Sequence, residues 1–356
     1  MILGKGSSTQ SIVNEFENID FNISTEACGY TSIISDATEE IAALESALYV
    51  ADIMLEEKVL EGATPEEMEV LLEGVVSSVY GRLKEVLKKL LAKVKQWFAN
   101  VKKFFQVLFS HGKDFAKKYK TDIIKAAARA NGYKYKTYDF AGGWGSLLDM
   151  VSLGKMSASL SGAVPLAAAD KVIGSKPNEK STTELTKAVM KDTWGSNYDS
   201  QAEFNKEFRE KLYGGTEKEE FEDFNKGPSV QDMLTILEQG AKVITNLDKS
   251  EKAIRTQCDR TIKDLEKTEN EVAKSVKSGE TYDSKRYTVA TEICKAGANC
   301  LISVADIYKE AIKVAMRDAE SILKGLLRHK PVKEGFEGAY LEDGNDSVLE
   351  SALKLI

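Results

Sequence analysis

Residues that could perform chemistry are few in this chain. It contains two histidines, His111 and His329, and four cysteines, Cys28, Cys258, Cys294 and Cys300. A zinc site needs Cys or His ligands that converge, and neither histidine belongs to a recognisable motif with ligands three or four residues away. We therefore expect both histidines to be exposed residues at helix ends, and we expect no metal site.

The four cysteines are scattered, and no two form a Cys-x-x-Cys pair. Such cysteines usually behave as small apolar core residues in a reducing compartment. A disulfide formed after release is the alternative, and sequence spacing does not test it.

Motifs of hydrolases and nucleotide-binding proteins are also missing from the sequence. Neither Gly-x-Ser-x-Gly nor Gly-x-x-x-x-Gly-Lys-Ser/Thr occurs. The run Gly142–Gly145 is rich in glycine, but no predicted strand precedes it, so we interpret it as a hinge. Adjacent carboxylates such as Glu56 and Glu57 face different directions on a helix. The sequence predicts no enzyme, no cofactor and no small-molecule substrate.

Charge is distributed very unevenly along the first 136 residues. Residues 1–79 contain sixteen acidic residues and two lysines, a net charge of −14, whereas residues 80–136 contain sixteen basic residues and three acids, a net of +13. The whole-chain charge of −7 hides this division. It predicts either an acidic arm that neutralises a basic helix until it is displaced, or two halves with different partners.

The basic region contains a long amphipathic helix. Its apolar residues follow a 4, 3 heptad spacing without a fault: Leu83, Leu87, Leu90, Val94, Trp97, Val101, Phe104 and Leu108. Its other face carries Lys88, Lys89, Lys93, Lys95, Lys102 and Lys103. Three interpretations remain open: a core seam backed by solvated lysines, a membrane-surface helix, or a helix that contacts nucleic acid phosphates.

The remaining sequence also favours helix, because 42% of its 356 residues are apolar and only five are proline. We expect no secretory signal, because the first ten residues contain no apolar run of seven or more. There is also no run of eighteen apolar residues. We divide the chain into a polar N-terminal arm (1–34), an acidic helical segment (35–79), the basic region (80–136), a middle segment rich in Gly, Ser, Ala and aromatic anchors (137–228), a helical hairpin (229–330) and an acidic tail (331–356). The sequence predicts helix starts near Asp36 and at Pro65, and a kink or end at His111–Gly112.

The predicted hairpin is the most regular part. Apolar residues at 3/4 spacing run from Val230 to Val276 and again from Ala290 to Leu326, on either side of a turn near Gly279. Two such arms bury both seams only when antiparallel, and each would be about 70 Å long. The predicted fold is all-α: an elongated helical bundle with a long basic amphipathic helix and a C-terminal antiparallel helical hairpin.

Residues 44–109 resemble virion proteins of tailed bacteriophages, either head-associated or internal. Those chains place an acidic helix rich in Glu, Ala, Leu and Met, here Leu44–Glu57, before a Lys-rich amphipathic helix with Trp and Phe, here Leu83–Phe109. In large tailed phages such proteins are often cut after a glutamate in an apolar-x-Glu setting. The resemblance therefore implies Glu57 and Glu73 as candidate processing residues.

On this basis we expect a non-enzymatic structural or assembly protein of a bacteriophage virion, present in the host cytoplasm before assembly. It would bind itself or other virion proteins through its helical seams. One alternative is a membrane-active or ejected effector that uses the basic helix at an anionic membrane surface. Another is a packaged internal head protein that binds DNA non-specifically.

Overall fold

The protein is 81% helical across the residues that the structure, a computed structural model, describes: 65–130, 132–175, 182–275 and 285–329. The helices are α1 (Pro65–Ala127), α2 (Trp144–Asp149), α3 (Val151–Gly162), α4 (Pro165–Ser175), α5 (Thr182–Trp194), α6 (Gln201–Tyr213), α7 (Val230–Glu238), α8 (Ala241–Ser275) and α9 (Lys285–Arg328). Two short strands, β1 (Tyr135–Thr137) and β2 (Glu219–Phe221), pair antiparallel. The all-α prediction is confirmed, and the small sheet is an addition to it.

The basic helix α1 begins at Pro65, as predicted, and is 63 residues long, about 95 Å. We expected a kink or an end at His111–Gly112; the helix does not end there but continues to Ala127. Gly112 is instead a contact point, where a Cβ would lie 2.7 Å from Met316 Cε and 3.0 Å from the carbonyl oxygen of Leu237. A glycine occurs here because α7 and α9 pack very close to α1.

The central element is α9, which contacts every other helix that the structure describes. The apolar positions of the predicted second hairpin arm are all buried: Ala290, Cys294, Gly297, Leu301, Val304, Tyr308, Ala311, Ala315, Ile322 and Leu326. Ile302, Ile307 and Ile312 lie on other sides of α9 and are buried as well. A helix that is apolar on most sides is a core helix, so α9 pairs with α8 and also lies at the centre of the bundle.

The three long helices lie side by side. The Thr268 hydroxyl contacts the Tyr287 hydroxyl near one end of the α8–α9 pair, and Gln257 approaches Gly297 farther along. These contacts make α8 antiparallel to α9, as predicted. Tyr80 packs on Tyr287, and Gly112 packs on Met316, so α1 runs parallel to α9.

The predicted first arm of the hairpin is two helices rather than one. Helix α7 ends at Glu238 and α8 begins at Ala241, so α8 has 35 residues and is about 52 Å long, not 70 Å. The break is at Gly240, where a Cβ would meet the ring of Phe109 at 2.1 Å. In the sequence the two helices read as one, because both α7 and α8 place apolar residues in the core at 3/4 spacing.

The middle segment covers α9 with short helices. Helices α4, α5 and α6 contact α9, and the aromatic anchors Trp194, Phe204 and Phe221 are buried. A strand, β1, does precede Gly142–Gly145, contrary to expectation, and it pairs antiparallel with β2 in a two-stranded sheet. Trp144 is 1% exposed, whereas Gly142 and Gly143 are exposed, so this run is a surface turn that is anchored in the core by its tryptophan.

One apolar core joins the three predicted segments 80–136, 137–228 and 229–330. The arm 1–34, the predicted helix start near Asp36, and the tail 331–356 lie outside the described residues. Of the acidic segment 35–79, the structure describes the backbone of α1 from Pro65 onward.

Candidate functional site

The heptad seam of α1 is covered by the protein itself. Within it, Leu83, Leu87, Leu90, Val94, Val101, Phe104 and Leu108 are buried, and Trp97 is half-buried beside Phe98. They pack in the common core, where α1 contacts α8, α9 and α7. In the described part of the chain these positions are core residues, as in the first of the three interpretations. In this conformation the seam is not an open surface for another copy or another protein.

This burial also bears on the membrane interpretation. Of the five rings that would enter a bilayer surface, Trp97 is half-buried, and Phe98, Phe104, Phe105 and Phe109 are at most 8% exposed. Inserting them would require α1 to separate from α8 and α9. None of the described helices is long and apolar enough to cross a membrane.

The six lysines predicted for the basic face divide into two groups. Lys88, Lys89, Lys95 and Lys103 are exposed, whereas Lys93 and Lys102 are half-buried. Lys102 turns toward α8, where its Nζ lies 2.6 Å from both Asp248 Oδ1 and Glu251 Oε2. Lys102 therefore belongs to an internal contact and not to the outer basic face.

The pKa of Lys102 reflects its position at the half-buried edge of α1, beside two carboxylates of α8. Burial by itself lowers the pKa of Lys102, but its hydrogen bonds to Asp248 and Glu251 outweigh that effect, so this pKa is raised above its ordinary value. Lys102 therefore stays charged at neutral pH and holds α1 against α8.

Three further contacts fix the rotation of α1 about its axis. Lys120 Nζ is 3.0 Å from Glu238 Oε1 on α7, and His111 Nε2 is 3.5 Å from Glu320 Oε1 on α9. Gly112 between them admits Met316. With its inner side held in this way, the opposite side of α1 faces outward.

That outward side carries a row of lysines, which we name the basic strip: Lys88, Lys95, Lys103, Lys113, Lys117 and Lys125. All six are exposed, and none forms an ion pair with a residue that the structure describes. At 3.6 residues per turn they fall within about 120° of one another and extend over about 56 Å. Between residues 82 and 129 the acidic residues on α1 are Glu85, Asp114 and Asp122, so positive charge dominates this face.

The strip is longer than the predicted basic face. Lys113, Lys117 and Lys125 were not among its predicted lysines, because we expected the helix to kink or end at Gly112. The signal that could have found them is the continued helical period of Phe115, Ala116 and Ile123, which are buried on the inner side. Once α1 is continuous, these lysines fall on the same outer side as Lys88 and Lys95.

The two histidines are not exposed helix-end residues of the kind we expected. His111 lies in the middle of α1, half-buried, against Glu320. His329 follows the end of α9 but packs edge-on to Tyr133, with ring centroids 5.2 Å apart. Among the described residues no group of three or more His, Cys, Asp or Glu side chains is placed to hold a metal ion.

The candidate processing residues differ in position. Glu57 lies outside the described residues, whereas Glu73 is within the helical backbone of α1. A protease that cuts an extended substrate would first have to unwind α1 around Glu73.

The cysteines are placed as core residues. Cys258, Cys294 and Cys300 are free, and each has 0% exposure. Cys258 hydrogen-bonds to Cys294 across the α8–α9 contact; that bond and burial raise the pKa of the Cys258 thiol. Cys28 is outside the described residues.

Comparisons of the chain with protein-family models, with curated proteins and with solved structures found no match. The class defined by the fold and the site is therefore an all-α protein with an outward basic strip on a firmly held helix.

Proposed function

We propose that the protein is a non-enzymatic structural protein of a bacteriophage particle that binds an acidic surface through the basic strip. The resemblance of residues 44–109 to phage virion proteins supports the virion setting. The observation that carries the proposal is the basic strip itself: six exposed lysines along one side of a helix whose other side is buried in the core.

Assembly through the basic strip differs from assembly through the heptad seam, which was the expectation from the sequence. Binding through the heptad seam would require opening the core, because the seam residues are covered by α8 and α9. The strip needs no such opening, since Lys102, His111 and Lys120 hold α1 in place while the strip faces solvent. The partner is then an acidic surface on a neighbouring virion protein or on another copy of this chain.

Two full-length variants test the strip. The strip variant replaces Lys88, Lys95, Lys103, Lys113, Lys117 and Lys125 with Gln. The control variant replaces six other exposed lysines that form no ion pair with a described residue: Lys155, Lys187, Lys206, Lys249, Lys252 and Lys263. Both remove the same charge, so a difference between them reports position rather than net charge.

The probe for an acidic protein surface is a labelled poly-glutamate of thirty residues, followed by fluorescence anisotropy. We expect the strip variant to lose binding while the control variant keeps it. Equal binding by both variants would overturn the proposal that the strip is the binding site. Unchanged circular dichroism in both variants would show that folding is not the cause.

The virion setting has its own test. Mass spectrometry of purified particles of the phage that encodes this chain should recover peptides of residues 80–329 in fixed proportion to the major capsid protein. Their absence from washed, intact particles would contradict a structural virion role.

A packaged DNA-associated protein is a second candidate, favoured by the excess of lysines over acids on the outer face of α1. Six lysine–phosphate contacts would give a slope of about −5 in log affinity against log salt concentration. We expect no preference for base sequence, because the strip contains lysines and no arginine, and bidentate arginine contacts supply most base readout. A 30-base-pair duplex measured between 50 and 200 mM salt gives this slope, and a slope near zero would reject this candidate.

A further inference from the structure

The negative charge of residues 1–79 falls into two parts: acidic residues within α1, and acidic residues that precede it in residues 1–64. Glu66, Glu67, Glu69 and Glu73 lie within the same rigid helix as the basic strip. They cannot fold back on it, because Lys88, the first lysine of the strip, is about 22 Å farther along the helix axis than Glu73. Residues 1–64 precede α1 along the chain.

Residues 1–64 carry twelve acidic residues and two lysines, a net charge of −10. The strip offers six exposed lysines without ion pairs to described residues. Reaching Lys125 from Pro65 means covering about 90 Å of helix, which about 27 extended residues span. The segment is therefore long enough and has the opposite charge.

We propose that residues 1–64 bind the basic strip of the same chain and compete there with the external acidic partner. This inference rests on the proposed function, because it concerns regulation of the same site. A tethered segment acts at an effective concentration in the millimolar range, so individually weak, solvated ion pairs suffice to cover the strip. Rising salt and a polyanionic partner both displace the segment.

The acidic tail 331–356 is the other negatively charged part of this chain that could occupy the strip. It carries six acidic residues and two lysines, a smaller net charge than residues 1–64. It also follows the end of α9 that lies beside the later part of α1, where Lys324 packs on Phe115. The charge difference favours residues 1–64, and the tail supplies a matched control.

Two full-length variants each neutralise six carboxylates. The arm variant carries E39Q, E40Q, E45Q, E56Q, E57Q and E61Q. The tail variant carries E334Q, E337Q, E342Q, D343N, D346N and E350Q. With the labelled duplex at 50 mM salt, we expect the arm variant to bind about tenfold more tightly than the native chain because the tethered competitor is weakened. The tail variant should stay within about twofold of the native chain.

Adding the strip variant's six Lys→Gln changes to the arm variant should remove the gain. Equal gains in the arm and tail variants, or no gain in the arm variant, would overturn the inference. If instead the strip variant binds the duplex and poly-glutamate as the native chain does, the proposed function itself fails. The two failures are therefore distinguishable.

Carbodiimide cross-linking locates the occupant directly. In an equal mixture of ¹⁵N-labelled and unlabelled native chains, we expect cross-links between carboxylates of residues 1–64 and strip lysines within one isotopic chain. Cross-links that join a labelled to an unlabelled chain would assign the contact to a second copy and overturn binding within the chain. If other lysines react but no cross-link joins residues 1–64 to a strip lysine, the inference is also overturned.

Discussion

Lys102 Nζ and Glu251 Oε2 lie 2.6 Å apart and join α1 to α8. The side chains are 19% and 13% exposed, so the pair is largely removed from water. Neighbouring Lys103 is exposed and forms no ion pair with a described residue. One residue therefore holds the helix in place while the next belongs to the basic strip.

Replacing Lys102 with Gln should destabilise the protein. Glu251 would keep Arg255, whose Nη2 lies 2.7 Å from its Oε1, but would lose its charged partner on α1. Loss of a largely buried, charged hydrogen bond costs about 1–3 kcal/mol. Lys103→Gln removes the same charge and should change the free energy of unfolding by less than about 0.5 kcal/mol. Urea unfolding followed by circular dichroism measures both, and equal effects would show that Lys102 is not a structural contact.

Gly112→Ala should destabilise the protein by about 1–3 kcal/mol, because the added Cβ overpacks the contact of α1 with Met316 and Leu237. Gly81 is the matched control, since it lies in the same helix with no atom within 4 Å of an added Cβ. There, alanine should stabilise by about 0.5–1 kcal/mol through helix propensity alone. Thermal unfolding of the two variants should shift in opposite directions, and stabilisation by Gly112→Ala would contradict the close packing.

Stability should depend on pH through Glu320 and His111. Burial alone would raise the pKa of Glu320, but hydrogen bonds with His111 and Lys324 outweigh it and hold that pKa at about 2, below its ordinary 4.5. The hydrogen bond to Glu320 raises the pKa of His111 above its ordinary 6.5. The Glu320 contribution is present above pH 4.5 and is lost as pH falls toward 2.

The His111 contribution has the opposite sign: it is complete below pH 6.5 and is lost as pH rises through the raised pKa. We therefore expect His111→Gln to remove part of the decline in unfolding free energy on the alkaline side, and Glu320→Gln to remove part of the acid decline. Parallel pH profiles for His111→Gln and the native chain would reject the pairing.

Thiol reactivity should report the core. Burial raises the pKa of the Cys300 thiol to about 12, and Cys258 and Cys294 have no exposed surface. Because the thiolate is the reactive form, we expect iodoacetamide to label these three cysteines only when the protein unfolds. Peptide mass spectrometry along a urea series measures this, and rapid labelling without denaturant would contradict their burial.

Several elements were predictable because local patterns determine them. The faultless heptad from Leu83 to Leu108 predicted which side of α1 is buried, and Pro65 marked the helix start. The antiparallel relation of α8 and α9 followed from two seams and a short connection. These features depend on spacing and capping residues, which a sequence displays directly.

Other features depend on neighbours that are distant in sequence. The heptad spacing does not predict that Lys102 faces α8 while Lys103 faces solvent, because the carboxylates that pair with Lys102 lie on another helix. Gly112 has the composition of a helix end, and only the approach of Met316 explains it as a packing contact. Likewise, a single apolar seam on α9 was visible in the sequence, but burial on most sides results from seven other helices packing around it together with α1.

The basic strip predicts a definite contrast between the strip variant and the control variant. In 50 mM salt, loss of six lysines from the strip should weaken binding of labelled poly-glutamate by at least about tenfold, while loss of six lysines elsewhere should change it by less than about twofold. Anisotropy titrations of the full-length proteins, side by side, make this measurement. Equal dissociation constants for the two variants would contradict the account.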